Sequence, residues 1–169
     1  MAEKTRIAPQ KINLAKSTNY RLNIHSLPQV QFWLTTCNLP TVSSNEVPIP
    51  DMVHGYRYKP STTMMPAPMT VTFLVDEDYS NYMEILNLMW KASGPNLSER
   101  FKEDEPTGTD GSLHILSNNK NISDVVFTFH NLFPTILGEL QMSNESADPL
   151  LTDLTLQYDY MTMESGKPL

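Results

Sequence analysis

The sequence predicts a mostly antiparallel β-domain carrying one α-helix. Three observations lead there. Apolar and polar residues alternate in several short runs, one longer run carries apolar residues at helical spacing, and Gly, Pro and Asn clusters separate the runs. Between them they give six or seven strands and a single helix, with no internal repeat.

Residues 1–18 show no periodicity and are expected to form an arm. Tyr20, Leu22 and Ile24 then alternate with Arg21, Asn23 and His25, as in a strand with one buried face. "SLPQ" reads as a turn and "VQFWLTTC" as a second strand, so a β-hairpin is expected, closed by "NLPT". The segment 43–68 holds Pro48, Pro50, Pro60 and Pro66, which cannot sit in a central ladder. A solvated linker and an arm lying on another surface both suit its Pro content. Tyr56, Tyr58, Met64 and Met65 are candidates for contact with such a surface.

"MTVTFLV" is a third strand, with Val71, Phe73 and Val75 on one face. The helix is expected over 76–92, capped by Asp76 or Asp78 and ended by "SGP". Its stripe of Tyr79, Tyr82, Met83, Leu86, Met89 and Trp90 is expected to pack on its own sheet. Residues 97–111 read as a surface loop, followed by strands "SLHILS" and "DVVFTFH" joined by "NNKNI". The connection "NLFPTILGELQM" carries Leu132, Phe133, Ile136 and Leu137 around a Pro and a Gly, too apolar for a solvated turn. "LTDLTLQYDYMTM" is the last strand. One domain from 19 to 165 is expected, with a tail at 166–169.

At 169 residues the chain is long enough to bury roughly 70% of its unfolded surface. A net charge of −7 opposes a Lys/Arg-rich phosphate-binding surface. Cys37 is the one cysteine, which removes disulfides and multi-Cys metal sites, and it reads as a small hydrophobe. His25, His54, His114 and His130 stand apart with no metal-ligand spacing. Phosphate-loop, nucleophile-elbow and Cys–His patterns are all missing, and no apolar run reaches the ~18 residues of a membrane span. The expectation is a non-enzymatic protein, made in the cytoplasm, without cofactor, metal or membrane insertion.

Three stretches, in order, resemble the tail tube proteins of contractile-tail bacteriophages: "NYRLNIHSLPQVQFWLTTCNLP", "PMTVTFLVDEDYSNYMEILNLMWKASG" and "FPTILGELQMSNESADPLLTDLTLQYDYM". The resemblance covers most of residues 20–162. It implies a tail-tube-like β-sandwich or barrel with a flanking helix, in six-membered rings that stack into a hollow tube. It also implies a place in the virion tail, with sheath and baseplate proteins as partners and DNA in transient passage. Phe133, Ile136 and Leu137 would then pack a corner against the core or an adjacent copy, bent by Pro134 and Gly138. Asp153, Gln157 and Asp159, on the polar register of the last strand, are candidates for the lumen wall. Segment 48–68 and the region after residue 96 depart from the usual tube pattern and look closer to baseplate tube initiators. The inner tube of a bacterial injection or secretion apparatus shares the fold and remains an alternative.

Overall fold

The computed structural model describes residues 14–93, 108–119, 125–145 and 148–165. Most of the expected N-terminal arm, most of the 97–111 loop and the "NNKNI" turn lie outside these residues, as does the tail at 166–169. The elements are β1 (Tyr20–Ile24), α1 (Pro28–Phe32), β2 (Leu34–Cys37), β3 (Val42–Asp51), β4 (Gly55–Pro66) and β5 (Met69–Leu74). They continue with α2 (Ser80–Ser93), β6 (Thr109–Ile115), β7 (Val125–Leu137), β8 (Leu151–Gln157) and β9 (Tyr160–Ser165). Seven strands form one antiparallel sheet in the order β1-β6-β7-β8-β5-β2, with β9 beside β7. Strands β3 and β4 form a separate two-stranded sheet.

The long sheet bends into two halves that enclose one core. Strand β7 makes the bend. Its first part, Val125–His130, pairs with β6 and β9, and its second part, Phe133–Leu137, pairs with β8. Asn131 sits between them at φ 55, a left-handed conformation that Asn tolerates better than most residues. The neighbouring strand turns at the same place. The Asp159 N–H donates to His130 C=O at 3.0 Å, and Asn131 Nδ2 donates to Asp159 Oδ2 at 2.9 Å. Both halves feed the core: Leu22, Ile24, Leu113 and Phe129 from one, Met69, Val71, Phe73, Leu154 and Leu156 from the other. Each such buried side chain contributes about 1.5–3 kcal/mol relative to exposure. Between the terminal strands, the Tyr20 hydroxyl donates to Thr35 C=O at 2.8 Å, tying β1 to β2.

Four expectations need correction. "SLPQ" opens a short helix rather than a hairpin turn: Pro28 occupies its first turn, where a missing N–H costs nothing. Val30 then points into the core, while Gln31 Oε1 accepts the Ile24 N–H at 3.2 Å and seats α1 on the edge of β1 that has no partner strand among the described residues. Strands β1 and β2 therefore do not pair with each other; they pair with β6 and β5.

The stretch "NLFPTILGELQM" is not a corner between two strands, because its first seven residues continue β7. The bend comes from Asn131, with a register shift between Pro134 and Ile136. Pro134 is tolerated because β7 there has a strand on one side only among the described residues. The expected single last strand is broken at Tyr158 and Asp159 into β8 and β9.

The fourth correction concerns the helix, which starts at Ser80 rather than 76. Asp76 does cap it: its carboxylate accepts the Ser80 hydroxyl and, at 3.4 Å, the Asn81 N–H. Asn81, wholly buried, fixes which face turns inward. Its amide donates to Leu74 C=O at 2.8 Å and accepts the Asp76 N–H at 3.4 Å, satisfying groups at the end of β5. Ile85 is buried one turn on, and Leu88 and Met89 pack against the core. Tyr79, Met83 and Trp90 consequently face solvent, with Tyr82 and Leu86 half-buried at the flank. Glu84 links the two helices, accepting the Gln29 backbone N–H; burial pushes its carboxyl above the usual range and that bond pulls it back. Burial likewise pushes the Cys37 thiol up to about 11, in keeping with a hydrophobe's role.

Candidate assembly surfaces

The β3–β4 pair stands off the main sheet, and nearly every residue of β3 is exposed. At its base, Ala67 N–H donates to Thr41 C=O and the Tyr158 hydroxyl donates to Ala67 C=O, both at 3.0 Å. Register sorts its side chains. Tyr58 lies opposite Pro48 and Tyr56 opposite Pro50, so two rings and two prolines share one face. Val47, Ile49, Arg57 and Lys59 share the other. Near the tip, Arg57 Nε donates to Asp51 Oδ2 at 2.6 Å, and this guanidinium holds the Asp51 carboxyl below the usual range. Tyr56 and Tyr58 are each 63% exposed. Met64 and Met65 lie opposite Ser44 and Ser43; their side chains fall outside what is described. Among the described side chains nearly all of this ribbon is exposed, and a two-stranded ribbon on its own is marginal in water.

A second surface is the outward side of α2, where Tyr79, Met83 and Trp90 follow one another at four and seven residues. Sequence periodicity finds this stripe and assigns it inward. The missing signal was Asn81, which counts as polar in any hydrophobicity pattern yet occupies the core-facing row. Phe32 and Trp33, packed edge-to-face at 5.1 Å, add exposed aromatic area at the end of α1.

The third surface is the outer face of the sheet half formed by β7, β8, β5 and β2. Directly opposed residues share a face. Phe133 therefore lies beside Gln157, Ile136 beside Thr155 and Thr70, and Asp153 beside Thr72. The Thr72 hydroxyl donates to Asp153 Oδ1 at 2.7 Å. Candidates for the lumen (Asp153, Gln157) and for subunit contact (Phe133, Ile136) thus occupy one continuous face. Ile136, 61% exposed, marks its apolar margin. Leu137 does not join them, since it pairs with Leu154 and packs against the core. Asp159 is elsewhere, at the corner with Asn131. No group of three or more metal-ligating side chains occurs among the described residues.

No protein-family model matches the chain. The tail tube terminator protein of Enterobacteria phage T4 is 27% identical over an alignment of 164 positions that covers 92% of each chain. Among solved structures, the tube terminating cap of the anti-feeding prophage superposes at a TM-score of 0.68, covering 97% of this chain and 99% of that one at 14% identity. This is the contractile-tail tube fold. The sheath–tube complex of the PVC extracellular contractile injection system gives 0.67, with 98% and 99% covered at 13% identity. The tube fold is thus matched equally well by a cap and by a sheath–tube complex, and it does not by itself choose a place along a tail.

Proposed function

We propose that this chain is a structural subunit of a contractile tail, assembling as a six-membered ring that closes one end of the tail tube. The observation that carries the reading is the end-to-end match with a tube terminator, in which neither chain has a large unmatched part. The apolar side of the β3–β4 ribbon and the outward row of α2 supply surfaces that a ring and its neighbours would cover. The role is mechanical rather than catalytic, and the partners are further copies, tube, sheath and baseplate proteins. A shaft ring is the second reading, favoured by the equal superposition on the sheath–tube complex.

The test mixes purified chain with preformed tail tubes and follows tube length and end density by electron microscopy. A terminator adds one ring and stops growth; a shaft subunit lengthens the tube. A chain that binds neither tubes nor itself, at any salt, sinks both readings. In the same assay, Tyr56→Ser/Tyr58→Ser should leave the melting temperature within about 2 °C, as surface changes away from the core do, while binding is lost. A large drop in melting temperature would place the two rings in the fold's own support.

Asp153 and Gln157 are proposed to face the bore, where six chains at −7 each bring −42 formal charges. A wall without cations offers DNA phosphates nothing to hold. Asp153→Lys/Gln157→Lys particles are expected to assemble and to deliver DNA more slowly. Delivery at the unaltered rate would remove these positions from the bore.

A further inference from the structure

The sheet half formed by β1, β6, β7 and β9 ends in two strand edges that have no partner strand among the described residues, β1 on one side and β9 on the other. Register lays straight rows of side chains across its outer face. One row runs Arg21, His114, Val126, Glu164, and the next runs Asn23, Ser112, Thr128, Thr162. The first row therefore starts on a cation at one edge and ends on an anion at the other. Both are exposed, and neither has an ion pair with a described residue.

Backbone groups at the two edges match as well. Along an antiparallel pair, residues alternate between turning N–H and C=O toward the neighbour and away from it. Leu116 N–H donates to Asn19 C=O at 2.9 Å, between the ends of β6 and β1, so Tyr20, Leu22 and Ile24 turn theirs to the outer edge. The Ile24–Gln31 bond agrees. Carried through β6 and β7 by the same pairings, the alternation turns those of Met161 and Met163 to the outer edge of β9. The other sheet half has blunted edges: Pro134 and a register shift interrupt the end of β7, and β2 is four residues with a shift of its own.

We propose that β1 of one copy pairs with β9 of the next, keyed by Arg21 against Glu164. This rests on the ring reading above and names the strands of its joint. Strands alternate in direction across the four, so β9 runs opposite to β1, and head-to-tail copies meet antiparallel. With Arg21 opposite Glu164, Leu22 falls opposite Met163 and exchanges two backbone hydrogen bonds with it. The ion pair then holds a position without backbone bonds, where side chains stand closer. Met163, 53% exposed in the single chain, is covered at such a joint. Helix α1 closes the Ile24 end and confines the pairing to the start of β1.

Disulfide trapping in the full chain, with Cys37→Ala as background, tests the joint. Opposed residues of this kind stand about 4.5 Å apart at Cα, within disulfide range. On mild oxidation, Arg21→Cys/Glu164→Cys should give a ladder of linked copies that ends at a closed ring. Arg21→Cys/Thr162→Cys, out of register, should give about tenfold less. Charge exchange is the second arm. Arg21→Glu and Glu164→Arg should each raise the concentration needed for assembly about tenfold, and the two together should restore it. Rings seen by electron microscopy that neither cross-link nor respond to charge exchange overturn the joint and leave the ring reading standing. A chain that forms no ring, alone or on tube ends, overturns both.

Discussion

Ile85→Ala lowers the folding free energy by about 2–5 kcal/mol, as cavity-forming substitutions of buried aliphatic residues do. Ile85 has no exposed surface and faces the core from the middle of α2, and the change removes three of its side-chain carbons. Trp90→Ala, on the same helix and removing far more atoms, costs less than Ile85→Ala, because Trp90 is 55% exposed. The contrast is the decisive part. Chemical denaturation of both variants should separate their midpoints widely, and a Trp90 variant as unstable as the Ile85 variant would mean that the outward row is core. If the outward row instead serves assembly, Trp90→Ala keeps its stability and fails to join a ring.

Gly138→Ala is expected to cost about 1–3 kcal/mol, the range for forcing volume into a packed site. The Gly138 N–H donates to Asp153 C=O at 2.7 Å, so the two backbones are already in contact. A Cβ there would stand 2.9 Å from that carbonyl oxygen and 3.0 Å from the Asp153 nitrogen. Neither atom can rotate aside, unlike the tip of a side chain. The end of β7 must lift from β8, and amide exchange at Leu154 and Thr155 should quicken along with the loss of stability. Gly55 makes a useful control. Its φ of 80 strains any side chain, but open space surrounds it, so Gly55→Ala should loosen only the ribbon tip.

Most strands were legible because their alternation is strict. Leu22 with Ile24, Met69 with Val71 and Phe73, and Leu154 with Leu156 are spaced two apart and all are buried. Where reading failed, one residue outweighed a pattern. Pro28 looks like a turn former and starts a helix, since its missing N–H suits either place. Asn81 looks like a surface residue and sets the helix's rotation. Asn131 looks like an ordinary strand-end polar residue, yet its positive φ turns a strand into a corner. The candidate surfaces divide the same way. Tyr56 and Tyr58 stood out by being apolar among prolines, whereas pairing Phe133 with Gln157 needed the register between β7 and β8, which no local pattern contains.

The Asn131–Asp159 corner has a geometric consequence for any closed assembly. Strand β7 and the β8–β9 strand turn at one point and are bonded to each other there, so the two sheet halves cannot open or close independently. The angle between them behaves as a fixed wedge. In a ring of identical wedges the bore diameter follows from that angle and the number of copies. Its constancy along a stack would then be secured inside each subunit, by one amide and one carboxylate, before any two subunits meet.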